Sequence, residues 1–363
     1  MTAFLDQLEV TCSKGGYVAI IEVCGFNDWF VECLRGRQAC QNVVIVQSVE
    51  KSRRKTDRRD AAKLSELLWT NRERIQKEQP IHGIRRMILP NPDDQEARKL
   101  TGMRQRLRRE QSKVITRIKS VLRNCNLFHR YPTKGVETKT GFKWLKELAK
   151  SPEKRSTTFA PFVEGERMPS EAERLELKHL MRNRAYFDKQ VAEVDRLLDK
   201  HTQANEDTVT LLTSMPGCGV FTALVFLSSI GDIQRFKSAR SLGNYFGLTP
   251  TSNNSGEATN RLGNISKEGR QIVRYVLGLM VTTLMRRDPW MKACYRRIKK
   301  KSGAKKARVA VMRRVTVILY HMLTTGEPYI IGGPDAVAAA REAKAAQTAL
   351  PADSTTPGGK AAV

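Results

Sequence analysis

The chain has 363 residues, with 64 Lys and Arg against 37 Asp and Glu, a formal net charge of +27 and a pI near 10.1. No apolar run approaches the roughly 20 residues that cross a bilayer, and the opening MTAFLDQLEVTCSKGG has acids where a secretory signal has an apolar stretch, so a membrane-spanning or exported chain is not expected. Seven cysteines without a CxxC pair read as reduced intracellular thiols, and so large a charge implies a polyanionic partner, most often nucleic acid.

In chain order, Tyr17 to Val23 (YVAIIEV) is a continuous apolar run of strand type. Phe26 to Leu34 has helical spacing, and Asn42 to Gln47 (NVVIVQ) is a second strand. Two buried-type strands joined by a helix predict a βαβ unit and a parallel sheet. A helix is expected from about residue 58 to 76, with Ala61, Leu64, Leu67 and Leu68 on one face. A long one follows from about 93 to 125, where Leu100, Met103, Leu107, Val114, Ile118 and Val121 form an apolar stripe on an otherwise basic helix. Residues 130–169, with Pro132, Pro152, Pro161 and Pro169, read as an irregular connector holding one short helix. A second long helix spans about 170 to 201, which suggests an antiparallel hairpin. Residues 207–325 look mostly helical. The Ala-, Gly- and Pro-rich stretch from Gly332 reads as a disordered tail. The expected divisions are thus 1–92 (α/β), 93–205 (helical hairpin with connector), 206–330 (helix-rich) and 331–363 (tail).

Four constellations carry chemistry. Glu22 ends the first strand, and Asp57 and Asp60 in KTDRRDA open the next helix. Strand ends of parallel sheets gather ligand sites, and converging carboxylates suit a hard divalent cation. The plainer reading is that Asp57 caps its helix and Asp60 is a solvated first-turn acid. In MPGCGVFTALVFLSSIGD, Gly217 and Gly219 sit in a turn between apolar helices, the layout of a helix-hairpin-helix that grips a phosphate backbone. In TPTSNNSGEATNRLGNISKEGR, Ser252, Ser255, Gly256, Arg261, Gly263, Ser266, Lys267 and Arg270 set hydroxyls among cations, although composition alone fits a surface loop. Finally, ten Lys/Arg with one acid between Arg98 and Arg123, and eleven with none between Lys292 and Arg314, suit a phosphate backbone. Arg104, Arg108, Lys299 and Lys300 are the expected contacts.

Together, YVAIIEVCGFNDWFVECL with KTDRRDAAKLSELL, and Met215 through Leu277, resemble the DEDD-type insertion-sequence transposases, the family that includes the Piv-type DNA invertases. The resemblance covers about residues 1 to 330. It implies an α/β plus all-α architecture: a RuvC-like, ribonuclease-H-type domain, a long helical hairpin and a helix-rich C-terminal domain. It implies a transposase or site-specific recombinase of a mobile element, acting on DNA as a homo-oligomer with Mg²⁺ or Mn²⁺, in the cytoplasm at the nucleoid. Some members are guided by an element-encoded RNA, so a guide RNA is a further expected partner. Glu22, Asp57 and Asp60 match the family's metal-binding acids, and Ser255, before Gly256, matches its serine nucleophile. Arg261, Gly263, Lys267 and Gly269 match the supporting loop by type. The family's first aspartate lies tens of residues upstream of the glutamate, whereas this chain has 21 residues before Glu22. Met1 to Cys12 looks like the amphipathic helix that precedes the glutamate strand. An N-terminal truncation or a late start, with a missing carboxylate, is therefore expected. The alternatives are a structure-selective junction nuclease and an inactive nucleic-acid-binding remnant.

Overall fold

The computed structural model describes residues 1–22, 28–47, 56–77, 79, 81, 85–87, 89–133, 135, 138–154, 161–252 and 262–349. Two units divide it, Met1–Pro90 and Asn91–Val363.

The first unit runs α1 (Thr2–Thr11), β1 (Tyr17–Glu22), α2 (Asp28–Arg35), β2 (Cys40–Gln47), α3 (Asp57–Thr70), α4 (Arg72–Gln76) and β3 (Arg85–Arg86). β1 and β2 pair in parallel, with Glu22 opposite Val46, and β3 joins β2 antiparallel. Val43 to Val46 are uniformly apolar because both faces of β2 are covered. Val43 and Ile45 pack with Leu5, Val31 and Leu34 of α1 and α2. Val44 and Val46 pack with Ile75, Leu64 and Leu68 of α4 and α3. The two-residue period of a strand separates these sets. On β1 the same period puts Val18 and Ile20 in the α3 layer, and Glu22 follows them in step.

The second unit begins with α5 (Pro92–Asn124), 33 residues long. Asn91 caps it by accepting from the Asp94 amide at 2.6 Å, and Pro92 supplies the preset first-turn φ. After α6 (Lys139–Leu148), α7 (Glu171–Ala204) returns along α5. The pairings Arg104–Asp195, Gln111–Asp188 and Cys125–Glu173 show the two are antiparallel, since partner numbers fall as α5 advances. α7 starts on a capping box between Ser170 and Glu173. At the far end of the hairpin Ile118, Leu122, Leu145, Leu148 and Leu177 form one core.

α8 (Glu206–Thr213), α9 (Val220–Ile230), α10 (Ala239–Tyr245), β4 (Pro250–Ser252), β5 (Leu262–Ile265), α11 (Gln271–Arg287), α12 (Pro289–Thr325) and α13 (Pro334–Ala349) complete the chain. The largest core lies here. Leu212, Phe226, Leu242, Phe246, Leu277, Met280, Val315 and Leu319 are buried together, and Leu100, Val194 and Leu198 of the hairpin join them.

Two sequence expectations are corrected. The stretch from Gly332 is not wholly without structure: α13 forms over Pro334–Ala349, because its alanines carry almost no helix cost. Gly333 fits against the Trp290 ring, and Arg341 pairs with Glu327 at 2.6 Å. The polar segment after Thr249 is not a plain loop between helices either. Its ends pair as the antiparallel ribbon β4–β5, Pro250 opposite Ile265 and Ser252 opposite Leu262.

Candidate nucleic-acid interface and the base of the serine loop

Ser255, Gly256 and Arg261 lie in the segment joining β4 to β5, outside the described residues. The base of that segment is described. Ser266 donates to the Thr249 carbonyl at 2.9 Å, and Lys267 to the Gly247 carbonyl at 3.2 Å. Lys267, exposed, adopts a left-handed φ of 56°. Gly247 permits the close approach: a Cβ there would stand 2.3 Å from the Glu268 carbonyl. Arg274, one turn into α11, donates to the carbonyls of Phe246 (3.1 Å) and Gly269 (3.3 Å) and also to that of Glu268. This single guanidinium stitches the two sides of the base together. The sequence reading did not single it out; a lone cation on the first turn of an apolar helix was the available signal.

Arg270, just before Arg274, turns the other way. Its guanidinium donates to the Ser229 hydroxyl at 2.8 Å and to the Arg98 carbonyl at 3.0 Å. Arg98 in turn donates to the Ser229 carbonyl at 3.0 Å. Ser229 stands in the last turn of α9, where the carbonyls have no partner within the helix and the dipole favours a nearby cation, while the Arg98 carbonyl belongs to α5. Burial, together with the neighbouring Arg98 charge, pushes Arg270 down to about 10. The two arginines therefore join α5, α9 and the start of α11.

The turn between α8 and α9 holds Gly217 and Gly219. Gly217 has φ +91°, and a Cβ there would lie 2.9 Å from Thr283 and 3.1 Å from the Met280 carbonyl, so the turn is seated on α11. Gly219 is the N-cap of α9 with open space around it.

Among the expected phosphate contacts, Arg104 turns inward. It pairs with Asp195 of α7 and lies 4.4 Å from the centroid of the Phe221 ring. Arg108 is exposed and donates to Gln111 at 3.0 Å. Lys299 and Lys300 are exposed, as are Lys292, Arg296, Arg297, Lys301, Lys305 and Lys306. α11 and α12 contain no Asp or Glu at all. Asp288, the fully buried residue between them, caps α12 by accepting from Trp290 and Met291 and receives the Tyr329 hydroxyl. α12 breaks at Gly303, where φ is 81° and ψ 165°.

In the first unit, the half-buried Glu22 ends β1, and α3 packs against that strand. Asp57 and Asp60 lie in the first turn of α3, Asp57 exposed and Asp60 half-buried. Their oxygen chemistry suits Mg²⁺ or Mn²⁺. Among the described residues, however, no three His, Cys, Asp or Glu gather closely enough to hold a metal ion. These three acids alone do not make a closed ligand set.

Residues 209–296 match the model of the Transposase IS116/IS110/IS902 family. The matched stretch contains the α8–α9 turn, the pinned ribbon and α11. The chain is similar to the transposase for insertion sequence element IS1111A of Coxiella burnetii, 32% identical over 153 residues, 40% of each chain. It is similar to the transposase for IS1328 of Yersinia enterocolitica, 27% identical over 201 residues, 55% of this chain and 53% of that one. The pilin gene-inverting protein of Moraxella bovis is 30% identical over 122 residues, 33% of this chain and 38% of its own. The chain thus spans about half or less of the length of these relatives. No helix among the described residues is long and apolar enough to cross a membrane.

Proposed function

We propose that the chain is a DNA transposase of the IS110 type, cutting and rejoining DNA at the ends of a mobile element. The observation that carries this reading is the family match over 209–296 lying on a segment whose loop base is pinned and whose following helices lack acids. In the proposed chemistry, the Ser255 hydroxyl attacks a phosphodiester, its proton goes to the departing sugar oxygen, and the strand end is held as a phosphoserine ester until a second strand displaces it. Glu22, Asp57 and Asp60 are proposed as the acidic set of a RuvC-like domain for Mg²⁺ or Mn²⁺, which need a further carboxylate to complete them. Binding to DNA is proposed through Gly217, Gly219, Arg261, Lys267, Arg108, Lys299 and Lys300. A homo-oligomer and an element-encoded guide RNA belong to the same reading.

Two measurements test it. Affinity for duplex DNA should fall by orders of magnitude between about 50 and 200 mM salt if six or more phosphates are neutralised. Incubation with plasmid DNA carrying the element ends should yield a protein–DNA adduct that survives denaturation, and Ser255→Ala should abolish it while leaving binding intact. Cleavage without an adduct, lost in Asp60→Ala, favours the junction nuclease instead.

A further inference from the structure

The outward face of α11 is a surface the proposed chemistry does not use. Two features flank it. On one side, the Arg308 guanidinium of α12 donates to the Gly278 carbonyl at 2.6 Å and to the Thr282 hydroxyl at 3.3 Å. On the other, the Gly217 turn sits against Met280 and Thr283. At about 100° per residue, these contacts leave a strip centred on Tyr275 and Leu279, with Arg286 continuing it. Tyr275 is 48% and Leu279 53% exposed, although Val276, Leu277 and Met280 beside them are buried. Nothing in the core requires an aromatic ring and a leucine on that side.

Charge selects the occupant. Neither α11 nor α12 has an acid. Lys301, Lys305 and Lys306, exposed around the Gly303 break, precede Arg308 in α12. An acidic or nonpolar protein surface would satisfy only part of this arrangement. A strand of nucleic acid with an unstacked base satisfies all of it: the base lies on the phenol ring, the sugar on Leu279, and the phosphates on Arg308 and the lysines. Stacking on an exposed aromatic beside a cationic track is how unpaired strands are held without sequence readout.

We infer that Tyr275 and Leu279, flanked by Arg308 and the Gly217 turn, form a stacking platform for an unpaired nucleotide. The inference rests on the nucleic-acid reading above and specifies the strand state that the C-terminal unit receives.

The test compares Tyr275→Ala, Tyr275→Phe and Leu279→Asp with the full-length wild type, each checked for an unchanged melting temperature. The probes are a fluorescent 16-nucleotide single-stranded DNA and the duplex of the same sequence. Tyr275→Ala should weaken single-strand binding about 5- to 150-fold, the range of one lost stacking contact, and leave duplex binding within about twofold. Tyr275→Phe should keep wild-type affinity, because the ring does the stacking and not the hydroxyl. Ultraviolet cross-linking to a 5-iodouracil-substituted strand should label the peptide containing Tyr275. Equal losses on both probes, or no loss, overturn the platform while duplex binding keeps the transposase reading intact. A Leu279→Asp change in oligomeric state by light scattering, with unchanged single-strand affinity, makes the face a contact between copies and also overturns it. Failure of the wild type to bind either probe overturns both readings together.

Discussion

The Arg270 guanidinium donates to the Ser229 hydroxyl at 2.8 Å while Arg98 donates to the Ser229 carbonyl at 3.0 Å, so two cations share the C-terminal end of α9. Arg270→Ala should cost about 2–4 kcal/mol, because the Ser229 hydroxyl and the Arg98 carbonyl of α5 lose a charged donor in a half-buried setting. Arg270→Lys should recover only part, since one ammonium cannot span both partners. Urea unfolding of the three proteins checks the order wild type, lysine, alanine.

Arg274 predicts a separation of binding from chemistry. It fixes the base of the β4–β5 ribbon through the carbonyls of Phe246, Glu268 and Gly269. Arg274→Ala should lower adduct formation by at least 10-fold while duplex affinity changes less than about threefold, because positioning losses fall on the chemical step. Parallel losses in both quantities would assign Arg274 to DNA contact instead.

Glu173 predicts a pH dependence. Hydrogen bonds from Arg167, and then from the Ser170 amide, hold its carboxyl down to about 2. Its folded pKa lies below the unfolded value, so its stabilising effect is complete above the ordinary carboxylate range and is lost as pH falls from about 4.5 toward 2. Glu173→Gln should therefore lower the melting temperature at pH 7, and the gap to wild type should close as pH drops through that window. A gap independent of pH would mean that shape, not charge, matters at this cap.

Arg104 and Lys299 should behave oppositely. Lys299→Ala should reduce the slope of log affinity against log salt by about one and leave stability within about 0.5 kcal/mol. Arg104→Ala should mainly destabilise, by about 1–3 kcal/mol, since it removes the Asp195 pair and the packing on Phe221. Titrations at four salt concentrations, alongside urea melts, separate the two.

These contrasts mark what the sequence exposes. The βαβ start was legible because YVAIIEV and NVVIVQ carry apolar residues on both strand faces, and helices cover both faces of β2. The two long helices were legible from unbroken stripes such as Leu100, Val114, Ile118 and Val121. The direction of a cation was not: Arg104 and Arg108 look alike in a basic run, and only the return of α7 with Asp195 turns one inward. The strands β4 and β5 were missed because three or four residues, PTS and LGNI, are too few to show a period. α13 was missed because alanine composition fits a helix and a tail equally. Arg274 was hidden because its partners are backbone carbonyls, which leave no trace in side-chain identity.

The break at Gly303 has a consequence for how this chain tolerates change. Residues 299–306 are all exposed, while from Ala307 onward α12 resumes its buried seam through Val311, Val315 and Leu319. A continuous helix would rotate everything downstream by about 100° for each inserted residue. Here a glycine backbone absorbs that rotation. Residues can be added or removed beside Gly303, changing the reach of the lysines, with the seam kept in phase.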